Sequence, residues 1–95
     1  MKVIWSPRAI QHLLALRSYI AKKSEQNAAL VAGRILGAVE LLMSHPEIGR
    51  PGRVPGTREL VIPETGFIIP YRSRGERLEL VAVFHGRQRW PEKLR

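Results

Sequence analysis

Ala28-Ala29-Leu30-Val31-Ala32-Gly33-Arg34-Ile35-Leu36-Gly37-Ala38-Val39-Glu40-Leu41-Leu42 is the stretch whose reading decides the fold. Ala28, Val31, Ile35, Ala38 and Leu42 recur at steps of three, four, three and four. That spacing lines them along one side of an α-helix, as a narrow apolar seam that needs a partner. Gly33 and Gly37 stand one turn apart in the same helix. Each costs about 1 kcal/mol of helix propensity relative to Ala, which implies a return in close packing, with a share in self-association. Arg34 between the two glycines argues against packing of the membrane type.

The partner of the seam is found on either side of it. Upstream, Lys2 to Trp5 is short, apolar and β-branched, and predicts a first strand. Ser6-Pro7 is an N-cap followed by proline in the first turn. Ile10, Leu13, Leu14, Arg17 and Ile20 then follow at helical spacing, with Lys22 and Lys23 placed to complement the end of the helix dipole. Ser24 caps the second helix, so the two form an antiparallel hairpin. Downstream, Pro46 ends the helix and His45 to Gly56 is a Pro/Gly-rich surface loop. Glu59 to Ile62 predicts a strand, Pro63 to Gly66 a turn and Phe67 to Tyr71 a second strand, in which Pro70 implies an edge or a bulge. Ser73-Arg74-Gly75-Glu76 is a hairpin turn. Leu78 to Phe84 is apolar on both parities except at Glu79, which predicts the central strand. The order is β-α-α-β-β-β, an α+β fold. Its expected core joins Leu13, Ile20, Val31, Ile35 and Leu42 to Ile62, Ile69 and Val83 or Phe84.

Composition bounds the function. Ninety-five residues make a single domain, 1–95, with room for one helical layer on one sheet. At 44% hydrophobic residues the chain is globular and not disordered. It has no cysteine, which excludes a disulfide frame and a thiolate metal site. The start has no signal-peptide apolar region and no uninterrupted apolar run reaches membrane-spanning length, so the expected location is the cytoplasm, with no membrane partner. The net charge of +8 points to a polyanion or an acidic protein as partner. From Arg50 onward the basic residues are all arginine except Lys93, and arginine's planar fork suits phosphate and carboxylate.

Candidate functional residues cluster late in the chain. Val81 to Phe84 runs directly into His85-Gly86-Arg87-Gln88-Arg89-Trp90-Pro91, so an apolar strand ends in a cationic, partly aromatic tip. His85 at that position can act as a general acid or base, or can simply cap the sheet. Arg58, Arg72, Arg74, Arg87 and Arg89 fall near strand ends; on one side of the molecule they would form an anion site, and otherwise a solvated rim. Tyr71 and Trp90 are suited to stack on a base or an arginine, and Trp90 equally to cover an open core edge. His12 reads as a surface or boundary residue and His45 as a helix-end residue, and neither has metal-ligand spacing. No metal and no cofactor is expected. Without a nucleophile–base pair, a Walker loop or spaced carboxylates, cationic acid–base chemistry is the enzyme class that remains, and metal-free RNA cleavage belongs to it.

Five stretches carry a family resemblance: Val3-Ile4-Trp5-Ser6-Pro7-Arg8-Ala9, His45-Pro46-Glu47-Ile48-Gly49-Arg50-Pro51, Arg58-Glu59-Leu60, Ile69-Pro70-Tyr71-Arg72 and Val83-Phe84-His85-Gly86-Arg87. In order and spacing they resemble the RelE/ParE superfamily of toxins from type II toxin–antitoxin (plasmid stabilisation) modules. The resemblance implies a helical hairpin on a small antiparallel sheet and a cognate acidic antitoxin that folds across the toxin. A homodimer and a heterotetramer with the antitoxin are both compatible with it. It also implies one of two growth-arresting activities. RelE-like members are mRNA interferases that cut transcripts on the ribosome, whereas ParE-like members poison DNA gyrase and are not nucleases. Interferases often carry an arginine early in the strand matching Phe67 to Arg72, where this chain has Gly66, Phe67, Ile68 and Ile69. Were the chain a nuclease, His85, Arg72 and Glu47 would be its catalytic residues. The missing early arginine favours the gyrase reading, in which Arg58, Tyr71, Arg72, Arg87, Arg89 and Trp90 contact the target.

Overall fold

The computed structural model describes residues 1–87. Strand β1 (Lys2–Trp5) leads into helix α1 (Pro7–Ala21), a short turn and helix α2 (Glu25–Ser44). Then come β2 (Arg50–Pro51), β3 (Arg58–Val61), β4 (Phe67–Arg74), β5 (Arg77–Leu80) and β6 (Phe84–His85). Both helices start at the predicted caps. Ser6 Oγ accepts from the Ala9 amide, and Ser24 Oγ accepts from the Asn27 amide. Ser6 also donates its hydroxyl to the Val81 carbonyl at 2.8 Å, which ties the start of α1 to the sheet. Lys22 is the C-cap of α1, so the two lysines sit just past its last turn.

The strands lie side by side in the order β1-β5-β4-β3-β2, and β6 pairs with β4 beyond the end of β5. All pairings are antiparallel except β1 with β5, which is parallel. The sheet is therefore mixed and not antiparallel throughout. The chain leaves β1 through a helical crossover and not a tight turn, so nothing obliges that strand to run antiparallel. The strand at the centre is β4, not the segment from Leu78 to Phe84. That segment is interior too, but it is split in two.

Pro70 explains the split. Tyr71 faces Leu80 and Ile68 faces Phe84, so three steps along β4 oppose four along the other strand. One extra residue makes a bulge. Pro70 accepts from the Val81 amide at 2.9 Å, so its nitrogen points to the same side, where Val81–Val83 leave the ladder. A proline without an N–H is thus accommodated inside the sheet because its neighbour bulges there.

Alternation puts Val3, Trp5, Leu60, Ile62, Ile69, Tyr71, Leu78 and Leu80 under the helices. They meet Ala9, Ile35, Val39 and Leu42, with Leu13, Leu16, Val31 and Ala38 packed around them. Val83 joins this core, whereas Phe84 lies in a second small cluster with Val81, Ala82 and Val54. Val54 brings the Pro/Gly-rich loop over the other face of the sheet. Ile20 stays half-buried at the margin. Gly33 and Gly37 are not buried, and a methyl group at either would touch nothing within 4 Å. Their small size serves no packing among the described residues. By length and composition α2 would suffice to cross a membrane, although Arg34 and Glu40 interrupt its apolar run. In this fold its Ala28, Ile35, Val39 and Leu42 stripe is buried.

Candidate functional site

Two clamps fix the loop between α2 and β3. Tyr71 is 1% exposed, and its hydroxyl donates to the Pro46 carbonyl at 2.9 Å while accepting from the Gly49 amide at 2.8 Å. Burial raises its pKa. Arg58, directly opposite Tyr71 in the ladder, donates to the Gly49 carbonyl at 2.9 Å and the Glu47 carbonyl at 3.4 Å. Gly49 is required here, since a Cβ would sit 2.6 Å from the Tyr71 ring. Tyr71 is therefore not the stacking surface for a target that its sequence context suggests; it is a core residue that holds the Pro46–Gly49 segment.

The second clamp is Glu59, only 3% exposed. Its Oε1 accepts from Nε and Nη2 of Arg50, and its Oε2 from the amide and Nε of Arg53. Burial alone would raise its pKa. The Arg53 amide and the two guanidinium groups outweigh that and hold the carboxyl below its ordinary value. This cluster pins the loop that carries Val54 onto the sheet. Beyond the density of arginine, nothing local in the sequence signals it, because the partners are brought together by the loop's path.

Among the described residues the expected cations do not converge. Arg58 lies under the helices, whereas Arg72 and Arg74 lie on the opposite face of the sheet. Arg72 is held by Glu79 Oε1 at 3.0 Å and 2.7 Å. Arg87 is exposed at the far end of the sheet, and Arg89 and Trp90 lie outside the described residues. His85 pairs with Phe67 across the ladder and meets its ring edge-on at 5.5 Å. The imidazole Nδ1 accepts from the Arg87 amide at 3.2 Å, which directs Nε2 toward Gly66. Arg72 is five residues along β4 from Phe67, so His85 and Arg72 are separated by roughly 17 Å at a rise of ~3.4 Å per residue. Glu47 is exposed in the loop clamped by Tyr71 and Arg58, on the Arg72 side of that gap. His12, a boundary residue by its sequence context, accepts through Nδ1 from the Val83 amide, which the bulge removes from the ladder.

A different feature stands open to a partner. Gly37, Ala38 and Leu41 of α2, Ile48 of the loop, and Leu60, Val61 and Pro63 line a mainly apolar groove, bordered by the Arg34–Glu64 and Arg50–Glu59 ion pairs. Leu41, Ile48 and Val61 are each about half exposed. β2 pairs only with Arg58 and Glu59, so among the described residues Val61 has β4 on one side and no strand on the other. The groove thus combines aliphatic surface with a free strand edge.

The family model described as "ParE toxin of type II toxin-antitoxin system, parDE" matches residues 3–90. The chain belongs to the ParE toxin family. A candidate toxin named Y4kP, from Sinorhizobium fredii, is 41% identical over 93 residues, spanning 98% of this chain and 96% of its own. Toxin RelE2 of Caulobacter vibrioides is 30% identical over 84 residues, 88% of this chain and 93% of that one. A solved structure described as the chromosomal ParDE toxin–antitoxin system from P. aeruginosa superposes with a TM-score of 0.79 at 25% identity, covering 90% of this chain and 95% of that one. The ParE-family chain is thus similar in fold to a toxin–antitoxin component along nearly its whole length. As a toxin of a type II system it implies an antitoxin as its partner.

Proposed function

We propose that this ParE-family toxin arrests growth by inhibiting DNA gyrase and that a cognate acidic antitoxin neutralises it. The observation that carries the reading is the separation of His85, Arg72 and Glu47. Metal-free RNA cleavage needs a base, an acid and a charge-stabilising cation around one phosphate. Here the imidazole stands at one end of β4, the arginine is engaged by Glu79 at the other, and the carboxylate lies in a loop. Such a surface suits contact with a protein target, with exposed Arg87 next to His85 as an anchor. The apolar groove beside α2 and the free edge of β3 suit an antitoxin segment that adds a strand or lays a helix along it.

Purified toxin is assayed for inhibition of gyrase supercoiling and for ribosome-dependent mRNA cleavage. Wild type is expected to inhibit supercoiling and to leave transcripts intact. His85→Gln keeps part of that inhibition, because no proton is transferred, whereas Arg87→Ala loses most of it. Transcript cleavage by wild type that disappears in His85→Gln would replace this reading with the interferase one, for which a loss of about 10²–10⁴ in turnover is expected.

A further inference from the structure

Lys2, Arg77 and Arg74 stand in one lateral row of the sheet. Lys2 is level with Arg77 in the parallel ladder, and Arg77 is level with Arg74 in the antiparallel one. All three are exposed, on the face away from the helices. With strands ~4.8 Å apart, three positive charges fall within roughly 10 Å. Like charges directly opposite one another destabilise a sheet. The other sheet arginines are answered: Arg72 by Glu79, Arg50 by Glu59, and Arg58 by two backbone carbonyls. Among the described residues no ion pair reaches the side chains of Lys2, Arg74 or Arg77, and Glu76 in the intervening turn pairs with none of them. Among the described residues the row is a charge arrangement that no contact of the fold uses.

We propose that the Lys2–Arg77–Arg74 row is a docking surface for the phosphate backbone of duplex DNA. The row itself is charge, with half-exposed Met1 beside Lys2 and Arg77 and no apolar groove like that along α2, and binding carried by charge is what a line of phosphates supports. An acidic polypeptide would need apolar contacts to hold it in place, and those are found in the α2–β3 groove. No aromatic side chain stands in the row, so an unpaired base has nothing to stack on, which disfavours single strands. The choice of DNA over duplex RNA rests on the gyrase reading above; the charge argument does not.

The test is fluorescence anisotropy with a short labelled DNA duplex and the full-length toxin, titrated across roughly 50–300 mM salt. Lys2→Gln/Arg74→Gln/Arg77→Gln is expected to flatten the dependence of log K on log salt by about 2 to 3, and to weaken binding at least tenfold at about 100 mM salt. Arg17→Gln/Lys22→Gln/Lys23→Gln removes the same charge from the helical hairpin and is expected to leave the slope within about one unit of wild type. Melting curves check that the variants fold; should the row triple variant not fold, Arg77→Gln alone is expected to lower the slope by about one. Equal losses in the two triple variants would reduce the effect to net charge and overturn the proposal. Tighter binding of duplex RNA, single strands or polyglutamate through the same residues would also overturn it. The assay contains no gyrase: DNA binding without inhibition of supercoiling would sink the gyrase reading and leave the row standing, and the converse result would do the opposite.

Discussion

The Val83 amide donates to Nδ1 of His12 at 3.1 Å, and only an unprotonated nitrogen can accept it. Burial, and then the nearby Arg8 guanidinium, hold the His12 pKa below its ordinary value. A folded-state pKa below the unfolded one means that the stability linked to it is present above about pH 6.5 and is lost as pH falls through the lower folded value. Thermal melts should therefore drop between neutral and mildly acidic pH. His12→Ala should cost about 1–3 kcal/mol at neutral pH, because a buried amide loses its acceptor, and should flatten that slope. An unchanged slope in the variant would refute the assignment. Glu59 obeys the same sign rule further down the pH scale. Its depressed pKa contributes stability above the ordinary carboxylate range, which is lost in acid. Glu59→Gln keeps the shape but replaces one accepting oxygen by an NH2, so two of the four hydrogen bonds are lost and the other two lose their charge; three of the four come from half-exposed arginine side chains, so a cost of about 1–3 kcal/mol is expected by urea denaturation. The helix caps at Ser6 and Ser24 were legible in the sequence because their partners lie three residues away. The partner of His12 lies 71 residues away and exists only because a bulge frees it, so no local signal reveals it.

The seam along α2 and the strand runs after Gly56 were legible as elements, since hydrophobic period and turn residues specify them locally. Lateral order was not. Nothing near Lys2 to Trp5 says that it pairs with β5, or that it does so in parallel. Pro70 gave a partial signal: an edge or a bulge was required, and the structure places the proline in the central strand with the bulge on its neighbour. The arginines near the strand ends were readable as residues, but their partition between two faces depends on a register that only the paired strands define. The turn before β4 shows how tightly that register is held. Gly66 has φ +77°, its carbonyl accepts from the Gly86 amide at 2.8 Å, and a Cβ there would lie 2.7 Å from His85 Nε2. Gly66→Ala is thus strained in its backbone and crowded by the imidazole. It should destabilise the fold by about 1–3 kcal/mol and shift the His85 ring resonances by NMR. A variant as stable as wild type, with His85 unmoved, would mean that the turn does not hold the β4–β6 register.

Charge and apolar surface act over different ranges in this molecule, and the difference makes distinct kinetic predictions for the antitoxin. The net charge of +8 acts over a Debye length of about 10 Å at 0.1 M salt and so accelerates encounter with an acidic partner. The groove at Leu41, Ile48 and Val61 acts only on contact and so sets how long the complex lasts. Raising salt should therefore lower the association rate constant of a cognate antitoxin and change its dissociation little. Leu41→Glu should do the reverse. Leu41 is half exposed, so the substitution leaves the core intact, yet it puts a carboxylate where an apolar side chain of the partner would sit. A rise in dissociation rate of about 10–100-fold is expected, the scale of losing one central anchor. Surface plasmon resonance with immobilised toxin, run across salt for both proteins, separates the two effects. If Leu41→Glu instead slows association and leaves dissociation unchanged, the groove is not the seat of the antitoxin, and a charged surface elsewhere on the toxin holds it.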